Sequence, residues 1–230
     1  MGLYIETRVR TDIETLWERT QEPSRHQRWD LRFTEIDRLP GESDEPRRFR
    51  YATRVLPFLT VTGTGVSAGE RHRADGGRVS ALRFASRHPL SLIAEGSGYW
   101  RYEPAGQEIR FFTGYDYRVR WGRFGRAADR LVFRPLMGWA TAWSFDRLRL
   151  WCERDISPER TLASALAEVA VRLLAVVAVA LWLTPVVVPA VAVGAVLLPP
   201  APWTPAARRC LRRPPARTAE PALLATLEQA

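Results

Sequence analysis

Ile109-Arg110-Phe111-Phe112-Thr113-Gly114-Tyr115-Asp116-Tyr117-Arg118-Val119-Arg120-Trp121 decides the fold. Ile109, Phe111, Thr113, Tyr115, Tyr117, Val119 and Trp121 share one parity. Arg110, Gly114, Asp116, Arg118 and Arg120 share the other, with Phe112 the exception. A period of two with one polar side predicts a half-buried strand over 107–121. The period then changes. Leu131, Leu136, Trp139, Trp143 and Leu150 recur at helical spacing, with Ala128, Val132 and Ala142 nearby, so 124–151 reads as a long helix that Pro135 kinks or joins.

Upstream, strand signals dominate at about 31–39, 48–56, 59–72, 78–86 and 93–103. Pro40-Gly41, Asp75-Gly76-Gly77 and Pro104-Ala105-Gly106 punctuate them. On 93–103, Gly98, Trp100 and Tyr102 are expected to look inward, and Tyr99, Arg101 and Glu103 outward. Residues 3–10 alternate as well. Thr11 and Glu14 predict a capping box that opens a short helix through Ile13, Leu16 and Trp17, and Pro23 opens a second to about Gln27. The order is strand, two short helices, six strands, long helix. This is an α+β class in which a curved, seven-stranded antiparallel sheet can cover its concave face only with the long C-terminal helix. Strand curvature and helix diameter rarely match, which leaves room for an apolar pocket.

Within 230 residues there are two cysteines, Cys152 and Cys210, and three scattered histidines, His26, His72 and His88. That supply predicts neither a disulfide framework nor a metal centre, and no cofactor is expected. The net charge is +9, yet Lys and Asn are absent and all 34 basic residues are Arg. Such usage points to a very GC-rich, bacterial genome, which weakens the inference from basicity to nucleic acid.

A composition break follows. No charge lies between Arg172 and Arg208, and residues 173–198 hold 15 Leu or Val, 6 Ala and one Trp. That length and composition predict a membrane segment. Pro185 and Pro189 interrupt it, so a kinked single span and a re-entrant hairpin turning around 184–189 both fit. Arg172 is expected to snorkel. Arg208, Arg209, Arg212, Arg213 and Arg217 favour a cytoplasmic end after the run, and the N-terminus carries no export signal. The expected organisation is a ligand-binding domain over 1–153, a membrane segment over 154–207 and an Arg/Pro-rich cytoplasmic tail over 208–230. The expected location is the inner (cytoplasmic) membrane, with the soluble domain facing the cytoplasm.

The opening strand, the helix Thr11-Asp12-Ile13-Glu14-Thr15-Leu16-Trp17 and the passage Pro23-Ser24-Arg25-His26-Gln27-Arg28-Trp29-Asp30 resemble the START/Bet v1-like (SRPBCC) superfamily, which includes polyketide cyclase and dehydrase relatives. The resemblance covers about residues 1–151 and speaks to fold more than to chemistry. It implies a helix-grip domain that binds hydrophobic small molecules or lipids. In some members it implies cyclisation or dehydration of a bound polyketide.

By parity, the expected cavity lining is Thr53, Leu82, Phe84, Trp100, Tyr102, Phe111, Thr113, Tyr115 and Tyr117 from the sheet, with Leu136, Trp139 and Trp143 from the helix. No carboxylate or imidazole falls on this set, which favours binding over catalysis. Tyr115, Tyr117 and His26 are the weak candidates for proton work, His26 through a couple with Asp30 at the cavity mouth. Gly63-Thr64-Gly65 and Gly96-Ser97-Gly98 read as strand glycines at bends, not as phosphate loops. Arg126, Arg130 and Arg134, spaced by four, share a helix face suited to anionic lipid headgroups as well as to plain solvation. The expected function is membrane-tethered binding or carriage of a hydrophobic molecule or lipid. A cyclase/dehydratase-like enzyme and a ligand-free, membrane-associated interaction module are the alternatives.

Overall fold

The computed structural model describes residues 2–40, 47–182 and 186–215. β1 (Leu3–Val9) is followed by α1 (Ile13–Gln21) and α2 (Pro23–Trp29). Then come β2 (Glu35–Arg38), β3 (Arg48–Leu56), β4 (Leu59–His72), β5 (Arg78–Ala85), β6 (Ile93–Ala105) and β7 (Glu108–Val119). They form one antiparallel sheet in the order β1-β7-β6-β5-β4-β3-β2. The α+β expectation of seven strands wrapped on a long helix holds.

Local chemistry explains the boundaries. α1 is capped by Asp12, not Thr11: its carboxylate accepts from the Thr15 N–H at 2.7 Å and the Thr15 hydroxyl at 2.7 Å. A carboxylate also suits the positive end of a helix better than a hydroxyl does. The long helix arrives in three pieces. α3 (Gly122–Ala128) leads into a π turn, Asp129–Phe133, and then α4 (Arg134–Arg154). Pro135 sits in the first turn of α4. It brings no N–H and its ring crowds the carbonyl one turn back, and the wider π turn relieves both.

The core lies between β1, β6, β7 and α4. Ile5, Val9, Trp29, Trp100, Tyr102, Phe111, Phe145 and Leu148 pack there with Leu16 of α1. Phe112, the exception in the alternation, belongs to a smaller cluster on the convex face with Tyr4, Val79, Ala81 and Tyr99. The Arg110 guanidinium covers it, 4.6 Å above the Phe112 ring, and is held in turn by Glu6 and Glu103. Tyr99 is therefore buried on the outer face, under charged side chains whose stems act as apolar cover.

Mid-strand glycines make room for aromatic rings. A Cβ on Gly96 would meet the Phe84 ring and stand 2.6 Å from the Asp116 carbonyl oxygen. The Phe49 ring lies across Gly65 in the same way. Neither glycine pair lies at a strand-to-helix turn.

Beyond α4, Asp155 adopts a left-handed φ of 51° and ends the helix. α5 (Pro158–Trp182) and α6 (Val188–Leu197) follow. The turn expected around Pro185 falls partly outside the described residues, as does Arg217. The chain then returns to the domain. Ala206, Ala207 and Cys210 are buried in the core, and the Leu211 backbone pairs with Glu6 of β1. The tail drawn at 208 by composition thus has its first residues built into the fold, because the buried Asp146 carboxylate captures the Ala206 N–H at 2.7 Å and Arg209 at 2.8 Å.

Candidate functional site

Strand register places Phe49, Tyr51, Thr53, Leu82, Phe84, Trp100, Tyr102, Phe111, Thr113, Tyr115 and Tyr117 on the concave face. That face has two halves. Toward β6 and β7 it is filled. Tyr102 and Phe111 are fully buried, Phe111 stacks on Phe145 at 4.6 Å between centroids, and the Tyr102 hydroxyl meets Thr20 at 2.6 Å and Gln21 at 2.9 Å. The Thr113 hydroxyl donates to the Tyr99 carbonyl at 2.9 Å. Trp100 and Trp143 are buried in the same core. These five residues back the site as packed wall.

Toward β3, β4 and β5 the face is open. α4 packs over β1 and the 207–209 turn, and Phe49, Tyr51, Thr53, Leu82 and Phe84 remain half-buried on the inner surface. Tyr117 is half-buried as well, and Leu136 and Trp139 of α4 are 56% and 44% exposed. This part of the face presents an aromatic-rich, partly buried surface. A separate concavity of about 430 Å³ lies beside α1, among Trp17, Gln21, four glutamates including Glu22 and Glu70, and Arg38 and Arg47. Its charged lining matches an apolar ligand poorly.

A polar cluster that the parity argument missed sits where the two halves meet. Asp30, directly after α2, is fully buried. It accepts from the His26 ring at 3.0 Å and from the Arg32 guanidinium at 2.6 Å. His26 lies between aromatic rings, 4.9 Å from Trp29, 4.8 Å from Trp100 and 5.5 Å from Phe33. Burial pushes the His26 imidazole below its ordinary value, with the Asp30 carboxylate opposing. Burial alone would raise Asp30, but the Arg32 charge and the His26 hydrogen bond hold it well below the usual carboxylate range. Arg32 also faces the Tyr115 ring at 5.7 Å. A carboxylate and an imidazole therefore do face the interior. They come from the α2–β2 connection, which strand parity does not sample. The Asp-Leu-Arg spacing, with the Trp29 side chain before it, was the available signal.

The weak proton-transfer candidates are each engaged. The Tyr115 hydroxyl meets Thr141 at 3.2 Å. Tyr117 donates to Asp129 at 2.6 Å, and burial followed by that carboxylate raises its pKa. Burial pushes the Tyr51 phenol up to about 12. No His, Cys, Asp and Glu grouping among the described residues has the makings of a metal site.

The Arg row on α3–α4 divides. Arg126 and Arg130 are exposed, whereas Arg134 pairs with Asp129 at 3.3 Å and lies 5.7 Å from the Tyr117 ring. The row sits at the N-terminal end of a 21-residue helix whose other end leads to α5. At about 1.5 Å per residue, roughly 30 Å of helix separates the row from that exit.

The chain thus runs as a strand, two short helices, six further antiparallel strands and a long helix against the concave face. The fold is START/Bet v1-like. Among solved structures, the hypothetical protein jhp0584 from Helicobacter pylori is similar at 12% identity, over 66% of this chain and 88% of that one, with a TM-score of 0.53. Human StAR-related lipid transfer protein 5 is similar at 14% identity, over 64% and 74%, with a TM-score of 0.48. Likeness at these identities is likeness of fold. The uncharacterized membrane protein YndG of Bacillus subtilis (strain 168) is 48% identical over 165 residues, which are 71% of this chain and 62% of that protein's length. No family model matches the chain. To this fold the chain adds α5 and α6, and the returning segment is taken into the core.

Proposed function

We propose that this chain is a membrane-associated START/Bet v1-like module that takes a hydrophobic small molecule or lipid into the cleft between the inner face of β3–β5 and α4. The observation that carries the reading is the partly exposed aromatic surface of Phe49, Tyr51, Phe84 and Tyr117, on a face that α1 overlaps, among the described contacts, only at the end that holds Arg78–Ser80 of β5. Burying apolar area there would stabilise a complex by about 25 cal/mol per Å². Thr53 and Tyr117 lie at its edges; their hydroxyls already donate to the Arg32 carbonyl and to Asp129, which leaves each oxygen able only to accept from a head group. The similarity to a membrane protein, and a helix in α5 long and apolar enough to cross a bilayer, support association with a membrane. In this reading residues 1–153 hold the ligand, the apolar stretch of α5 and α6 within 154–207 enters the bilayer while the two ends of that segment pack on the domain, and the domain faces the cytoplasm. The cyclase/dehydratase alternative takes second place because His26, Tyr115 and Tyr117 are each already committed to Asp30, Thr141 and Asp129.

Native mass spectrometry of the detergent-extracted full chain tests it. Wild type and Thr64→Asp, a change on the opposite face of β4, should carry a hydrophobic adduct. Phe84→Asp should reduce its occupancy at least tenfold, which corresponds to about 1.4 kcal/mol. Repeated recovery of empty wild type, or full retention by Phe84→Asp, would overturn the proposal.

A further inference from the structure

We infer that α5 and α6 form a hairpin that enters a single bilayer leaflet and returns, with Arg172 as the staple that closes it. The inference deepens the membrane association proposed above and rests on it.

The base of the hairpin is fixed to the domain. Arg147, buried in α4, donates to the Pro158 carbonyl at 2.8 Å and to the Trp29 carbonyl at 3.1 Å, and Thr161 is fully buried beside it. From Leu166 outward α5 has no cover from the domain. α6 runs back along it. Arg172 donates to the Ala195 carbonyl, to Leu198 at 2.9 Å and to Pro199 at 3.1 Å, while Glu168 pairs with Arg172 and accepts from the Ala201 N–H at 3.1 Å. Ala195 is one of the carbonyls that the C-terminus of α6 would otherwise leave without a partner, and Leu198 and Pro199 follow directly on that end. A guanidinium at that height satisfies them at the edge of the hydrocarbon, which explains a charge inside an apolar helix. Arg172 therefore does not snorkel as a free side chain.

Length decides the depth. α6 has 10 residues. At 1.5 Å each it rises about 15 Å, and the part of α5 beyond Arg172 reaches about as far. The hydrocarbon core is about 30 Å thick, so the pair reaches its middle and no further. Both legs are apolar on every side, as lipid contact demands; a protein partner would leave a polar flank. Exposed Arg160, Arg208, Arg212 and Arg213 stand on the base side, where anionic headgroups would lie.

Nitroxide labels test this in the full chain, with Cys152 and Cys210 replaced by Ala and single cysteines at Val177, Val193 or Val196. The protein is bound to phosphatidylcholine/phosphatidylglycerol vesicles, and depth is read from oxygen against nickel-chelate accessibility. The hairpin expects Val177 and Val193 at matching depth, Val196 shallower, and none beyond the midplane. Depth that runs on from 177 through 193 to a far interface at 196 would overturn the hairpin and keep the membrane association. A chain that stays off the vesicles would overturn both, whatever the adduct measurement shows for the cleft.

Discussion

Asp30 is the residue on which most of the interior polarity depends. It has no exposed surface, and it serves Arg32 and His26 together while its Oδ1 accepts from the Arg32 N–H at 3.0 Å. Asp30→Asn leaves the Arg32 charge buried against a neutral partner. The expected loss is about 3–5 kcal/mol of unfolding free energy, readable by urea denaturation. His26 sets a pH dependence. Its pKa is lower in the folded protein than in the unfolded chain, so the unfolded state takes up the proton first as pH falls. The stability due to neutral His26 is full above about pH 6.5, its unfolded value, and declines below it. Denaturation at stepped pH should show that decline between pH 7 and 5 in wild type and a flatter curve in His26→Gln. An unchanged slope in the variant would assign the effect to another group.

At the scale of elements, the sheet curls because glycine is placed where rings must cross. Gly96 faces both a ring and a backbone carbonyl, and the carbonyl cannot move aside without breaking the β6–β7 ladder. Gly96→Ala should therefore destabilise by about 1–3 kcal/mol, and the loss should appear as a lower melting temperature. The strands themselves were legible from alternation, and so were α1, α2 and the membrane-type run. The cap at Asp12 was displaced by one residue from Thr11, since two adjacent side chains both offer an acceptor oxygen and the sequence does not announce which one reaches the free N–H. The π turn before Pro135 was visible only as a kink, because proline states what must be avoided and not how the backbone avoids it.

At the scale of the whole molecule, Asp146 joins the returning chain to the domain. It is fully buried and holds Ala206, Arg209 and Arg149 at 2.7, 2.8 and 2.7 Å. Asp146→Asn should free residues 204–211 while leaving the sheet intact. Hydrogen exchange at Ala206 and Leu211 is expected to quicken by tenfold or more, at about 1.4 kcal/mol per decade, with Phe111 and Tyr102 unaffected. Equal acceleration at all four sites would mean that Asp146 supports global stability and not the return of the chain.

The sequence by itself determined which segments are strands, which face of each strand is apolar, and that a run of more than thirty uncharged residues follows the domain, because periodicity and composition are local properties of a chain. Only the tertiary structure decided that Asp30 and His26 turn inward, that the concave face is filled at β6–β7 and open at β3–β5, and that the chain comes back from α6 to lie on β1. Those outcomes depend on which distant groups meet. The meeting of Asp146 with Arg209, or of Arg172 with the end of α6, is set by long-range packing that no local pattern records.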